Sequence, residues 1–246
     1  MLKFFEQFGK YMLLLGLTFR KPQKMGIFFQ NLSREMVSIG YDSLVIVSII
    51  SVFTGAVTTV QTAYQLTSGL ISDTIIGSIV SESTILELSP TVLSLVLAGR
   101  VGSNIASEIG TMRVSEQIDA IEVMGLNSAC YLILPKVLAG AITVPLLVII
   151  SIFLSIGGGI FAGDLAGIVS KESFIQGAQE TFRTFNIFFA LIKAFTFGFI
   201  ITSIAAFKGY YTSGGSIEVG RSSTEAVVLS CILIVIFDFL LAKFLL

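Results

Sequence analysis

Residues 43–72 carry no charged side chain at all, and that run limits the possible folds more than any other feature of the chain. A bilayer core about 30 Å thick is crossed by roughly 20 consecutive apolar residues in helix, so the run is one span with residues to spare. Four more stretches follow. Ser83–Ala106 is interrupted by Glu87 and Pro90 and closed by Arg100, and residues 136–164 are uncharged between Lys136 and Asp164. Phe185–Phe207 holds a lone Lys193, and Ala226–Leu246 carries Asp238 and Lys243. The pattern predicts an all-α integral membrane protein of about five transmembrane helices. Composition agrees, because only 13% of the residues are charged where a soluble domain carries about a quarter.

Residues 1–40 behave differently. Apolar positions there alternate with Lys3, Lys10, Arg20, Lys21, Lys24 and Arg34, and Pro22 divides the stretch. Two amphipathic helices lying in the membrane interface fit this better than a span. The expected organisation is therefore an interfacial segment, 1–40, followed by a membrane-spanning domain, 41–246. The apolar stretch Tyr11–Phe19 leads into basic residues and not into a small-residue cleavage site, unlike a signal peptide.

Basic residues orient the spans. With the N-terminus in the cytoplasm, the inner side receives the six named above plus Arg100, Arg113, Lys136, Lys208 and Arg221. The outer side receives only Lys171, Arg183 and Lys243. Polar loops around 107–129 and 208–223 then face the cytoplasm, and the outer loops, 68–82 and 164–182, are short.

Several functions are excluded. The chain has no histidine, which removes catalytic triads, HExxH metal sites and most acid–base pairs, so neither catalytic nor metal-ligating residues are expected. It contains no GxxxxGK[ST] loop and cannot itself be a P-loop ATPase. A net charge of −1 offers no basic field for nucleic acid. Cys130 and Cys231, in or beside apolar runs, behave as small buried hydrophobes.

Within Arg113–Gly125, Val114, Ile118, Ile121 and Gly125 recur at helical spacing, with Glu116 and Asp119 opposite and Glu122 flanking. The segment predicts one short amphipathic helix between spans two and three, suited to lie against the spans or to dock in a groove of a cytoplasmic partner. Glu87, Lys193 and Asp238 are charges inside spans. Each is costly at that depth and should face a partner or a water-filled space. A structural ion pair of Lys193 with Asp238 or Glu87 and a substrate contact are both open readings. Gly157, Gly158, Gly159, Gly163 and Gly167 give the small-residue spacing of close helix packing. The Gly209–Arg221 loop lacks the strand–loop–helix context of a phosphate cradle.

The run AGRVGSNIASEIGTMRVSEQIDAIEVMGLN, Ala98–Asn127, resembles the signature of the MlaE/YrbE-like permeases of MCE-associated ABC transporters. Phe53-Thr54-Gly55 with Gln61, Glu87 ahead of Pro90, Pro135, Pro145, Lys193, the stretch Gly209–Thr224 and Asp238 extend the likeness over residues 40–246. Ser89, where the family often has glycine before the proline, Leu86, and Ser216-Ile217-Glu218 depart from it. The resemblance implies a permease subunit of an ATP-binding cassette transporter moving phospholipid between a bacterial inner membrane and a periplasmic MCE-domain protein. It further implies a second copy of the chain and a separate ABC ATPase subunit that binds the ATP, with no cofactor on this chain. Glu108, Gly110, Thr111, Arg113, Glu116, Gln117, Asp119 and Glu122 would meet the ATPase. Gly55, Gln61 and Glu87 would lie near the lipid cavity. An intramembrane lipid-modifying enzyme using Glu87 or Asp238 as a base, and a channel or structural subunit, are the alternatives.

Overall fold

The computed structural model describes residues 2–19, 25–66 and 73–245. Arg20, Lys21, Pro22, Lys24 and the end of the first uncharged run, residues 67–72, lie outside the described residues. All regular elements among the described residues are helical.

Five helical stretches are long and apolar enough to cross a membrane: Met25–Gln65, Thr74–Val114, Ser128–Leu165, Thr184–Tyr210 and Ser216–Leu245. The five expected spans are present, and the chain is a multi-pass membrane protein. Every stretch is longer than its uncharged run, because a helix already formed continues past the apolar boundary as long as its backbone bonds can.

Helix α1 is Leu2–Thr18 and α2 is Met25–Ile39, so the expected pair of N-terminal helices is present. A single turn, Tyr41–Ser43, joins α2 to α3, Leu44–Gln65. The second stretch begins as α4, Thr74–Ser83, and passes through a π-helical segment, Thr84–Val92, before α5, Leu93–Leu97. A second π segment, Ala98–Gly102, leads into α6, Ser103–Val114. Pro90 sits inside the first π segment; it has no N–H to donate, and the widened turn makes room for its ring.

Helix α7, Gln117–Val123, follows, then α8, Ser128–Leu165, and α9, Lys171–Glu180. The chain closes with α10, Thr184–Tyr210, and α11, Ser216–Leu245. Three expectations need correction. The stretches 68–82 and 164–182, read as featureless loops, contain α4 from Thr74 onward and α9. The segment 113–125 is not one helix, because Glu116 adopts a left-handed φ of 60° and breaks it; Val114 belongs to α6 and Gly125 lies beyond the end of α7. The loop read over 208–223 shrinks to the five residues between α10 and α11.

Contacts divide the chain into two compact units. One comprises Met1–Tyr41, Leu95–Thr143 and Thr196–Phe237; the other comprises Asp42–Ser94, Val144–Phe195 and Asp238–Leu246. In the second unit α3 and α8 meet through missing side chains. A Cβ on Gly55 would collide with the Ser155 backbone, and one on Gly158 with the Val52 backbone. This is the expected glycine packing, carried by Gly158 and Gly159; Gly157 faces open space, and Gly167 adopts a φ of 64°. Hydroxyls line the same seam. Ser155 Oγ donates to the Ser51 carbonyl at 2.8 Å, Ser51 Oγ lies 2.8 Å from Ser151 Oγ, and Ser151 Oγ lies 3.2 Å from Ser89 Oγ. Ser89 is thereby satisfied in the interior, the condition for burying a hydroxyl. In the same unit α9 packs on α4, with Gly177 against the Thr74 backbone and Phe174 buried among Ala63, Ile76, Val80 and Val169.

Candidate functional site

Two constellations stand out, one in each unit. The first surrounds Lys193 on α10, which is fully buried. Its ammonium has three donors, and three acceptors meet them: Asp238 Oδ1 at 2.7 Å, Glu87 Oε1 at 2.8 Å and the Leu86 carbonyl at 3.0 Å. The Leu86 carbonyl lies in the π segment that contains Pro90, and a carbonyl oxygen has two lone pairs, so it can accept the ammonium beside any backbone bond. The Phe189 ring lies 4.8 Å from Nζ and adds a cation–π contact. Thr91 Oγ1, 3.0 Å from Asp238 and 3.2 Å from Glu87, joins the two carboxylates.

Lys193 thus pairs with both acids, where the sequence allowed either. All three donors are consumed, so the lysine has none left for a lipid phosphate. Glu87 is the member that reaches outward, with its side chain 48% exposed against 0% for Lys193. Gln61 on α3 is also exposed. Gly55 packs against α8 at the seam described above.

The second constellation is built around α7. Glu116 enters with its left-handed φ, and Gly125, at φ 78°, closes the C-terminus. There Gly125 N–H donates to the Glu122 carbonyl at 2.9 Å and Leu126 N–H to the Ile121 carbonyl at 3.2 Å, the paired bonds of a glycine-terminated helix. Ile118 and Ile121 are buried, as their spacing predicted.

Of the eight residues carried over as ATPase contacts, Gly110 is buried and the other seven are exposed or partly so. Glu116 and Gln117 are exposed at the entrance to α7, and Thr111 is exposed on α6. Arg113 and Asp119 pair with each other. Gly110 is buried beneath Val219 and Thr212. Glu108 takes Lys136 Nζ at 2.7 Å, and Glu35 on α2 takes the same ammonium at 2.7 Å. Glu122 Oε1 accepts from Ser128 Oγ at 2.7 Å and from Tyr210 OH at 2.9 Å. These bonds hold the Glu122 carboxyl below the usual carboxylate range.

Glu108, Gly110 and Glu122 therefore serve internal contacts, while Val123 and Met124, 88% and 68% exposed, join the outward surface. The stripe pattern placed the two isoleucines correctly and missed Val123, Met124, Ser128 and Tyr210. Val123 and Met124 lie at the C-terminal end of a helix of about two turns, and Tyr210 is 88 residues away from Glu122 in sequence.

Five apolar spans, a buried intramembrane lysine paired with two acids, and a short helix held between two spans define a multi-pass membrane protein with a helix presented outside the spans. The sequence model of the family "Permease MlaE" matches residues 32–244. A probable ABC transporter permease protein of Rickettsia bellii is 37% identical over 217 residues, covering 88% of this chain and 83% of its own. The intermembrane phospholipid transport system permease protein MlaE of Haemophilus influenzae is 32% identical, covering 97% and 91%. The chloroplastic protein TRIGALACTOSYLDIACYLGLYCEROL 1 of Arabidopsis thaliana is 35% identical, covering 89% and 62%. The chain belongs to the MlaE permease family. It is accordingly a transport subunit and not an enzyme.

Proposed function

We propose that this chain is the membrane path of an ATP-driven phospholipid transporter. It pairs with a second copy of itself in a bacterial inner membrane and works with ABC ATPase subunits on the cytoplasmic side and an MCE-domain protein on the periplasmic side. The relatives' names support ABC coupling and phospholipid as the cargo. The excess of basic residues around the 107–129 and 208–223 segments favours the N-terminus and α7 inside the cell. Helix α11 is the least covered of the five spans, which suits a surface shared with another copy or with lipid.

The observation that carries the reading is the two-sided α7. Ile118 and Ile121 anchor one face in the chain's own fold, while Glu116, Gln117, Val123 and Met124 are left to meet another protein. An amphipathic helix presented in this way fits a groove on a partner. ATP-driven closure of the partner would displace α7 and, with it, the spans that bound the lipid. Glu87 and Gln61 would lie along the lipid route, Glu87 meeting hydrogen-bond donors of a headgroup, with Lys193 and Asp238 holding it in place.

The test is Glu116→Lys. The variant should insert in the membrane normally, fail to capture the ATPase and lose ATP-dependent lipid transfer; capture and transfer at the wild-type level would refute the docking assignment. Photocrosslinkers at Gln61 and Glu87 should capture lipid, and their failure would remove these two residues from the route.

A further inference from the structure

One cluster of bonds ties α7 to helices of its own chain. Glu122 on α7, Ser128 at the start of α8 and Tyr210 at the end of α10 form a closed triangle, with edges of 2.7, 2.8 and 2.9 Å. The carboxylate only accepts, so two hydroxyl protons serve three edges. By sequence α7 is connected to α6 and α8 alone. Tyr210 belongs to a helix that the chain does not join to α7, and it is the same helix that carries Lys193.

Beside the Arg113–Asp119 ion pair between α6 and α7, the other contacts named for this region are apolar or close-packed. Ile118 and Ile121 are buried apolar side chains, and Gly209 on α10 lies against Ala106 and Ile109 on α6. Apolar contact is non-directional and tolerates sliding. A hydrogen bond to a carboxylate depends on angle and is about twice as strong as a neutral one, so the triangle fixes the register of α7 against α10. The left-handed residues at both ends of α7, Glu116 and Gly125, make it a short unit with defined limits.

We propose that Tyr210 and Ser128, through Glu122, are positioning residues that transmit displacement of α7 to α10, so that nucleotide hydrolysis by the partner is converted into lipid movement. This rests on the reading of α7 as the ATPase-docking helix. Removing the Tyr210 hydroxyl should uncouple hydrolysis from transport without dissolving the complex, because the ring and the apolar grip remain.

The experiment uses the full chain with its ATPase, reconstituted in phosphatidylethanolamine–phosphatidylglycerol vesicles with a trace of tail-labelled fluorescent phosphatidylethanolamine. ATPase capture, ATP hydrolysis and labelled lipid delivered to acceptor vesicles are measured together. Tyr210→Phe should capture and hydrolyse as wild type while lipid delivered per ATP falls about tenfold or more, the worth of a hydrogen bond to a charged group. Ser128→Ala keeps the Tyr210–Glu122 bond and should lower the ratio about twofold to threefold. An unchanged ratio in Tyr210→Phe overturns the proposal. If that variant fails to accumulate, an unchanged ratio in Ser128→Ala overturns it instead. Glu116→Lys in the same assay reads the docking assignment separately, since it alone should lose capture.

Discussion

Lys193 Nζ lies 2.7 Å from Asp238 Oδ1, a bond that ties α10 to α11 between two residues 45 positions apart in the sequence. A second carboxylate, Glu87, and the Leu86 carbonyl complete the ammonium's partners. The cation is then part of the helix packing, tying α10 to α11 and to the π segment that contains Pro90.

Lys193→Met should leave Glu87 and Asp238 facing each other across Thr91 with no cation between them. Breaking a buried pair on one side typically costs about 3 kcal/mol. Thermal unfolding of the purified protein should show a clear fall in midpoint. Adding Asp238→Asn to that variant should recover part of it. A double variant no better than the single one would mean that the acids are already solvated.

Gly55→Leu and Gly157→Ala form a contrasting pair. At Gly55 a side chain meets the Ser155 backbone, which cannot yield by rotamer change, so α3 and α8 must separate at a cost of about 1–3 kcal/mol or more. At Gly157 there is open space, and the substitution should be neutral or stabilise by up to about 1 kcal/mol through helix propensity. Unfolding midpoints in one detergent compare them directly.

Lys136 is buried between Glu35 and Glu108, linking α2, α6 and α8. Lys136→Met should loosen α2, visible as faster protease cleavage near residues 25–39, while Lys136→Arg should protect it nearly as well as wild type. Equal cleavage in all three would show that apolar contacts alone hold α2.

Glu122 titrates with a definite sign. Its folded pKa is lowered by the Ser128 and Tyr210 hydroxyls, so the ionised form is favoured in the fold. Its contribution is complete above the unfolded value, about 4.3, and is lost as pH falls through the lowered folded value. Hydrogen-exchange protection of residues 117–125 should therefore hold from neutral pH to about pH 4.5 and fall below it. In Tyr210→Phe the folded pKa lies closer to the unfolded value, so the fall should be smaller and complete at a higher pH. A midpoint that does not move would separate Tyr210 from the titration.

By itself the sequence determined the number and approximate place of the spans, the pair of N-terminal helices, the inward isoleucines of α7 and the presence of intramembrane charges that needed partners. These follow from run length, local periodicity and the cost of an unpaired charge in hydrocarbon, all properties of a single segment. Only the tertiary structure decided that Lys193 takes both acids, that Ser89 joins a chain of hydroxyls with Ser151 and Ser51, and that Gly55 packs against α8. It also decided that Glu108 and Glu122, though exposed, bond to Lys136, Ser128 and Tyr210 of their own chain, while Val123 and Met124 turn out. Each of these depends on which faces of distant helices approach one another. A carboxylate beside a short helix has the same local sequence whether it meets a tyrosine of its own chain or a partner protein, and the difference arises only when α10 is brought to its side.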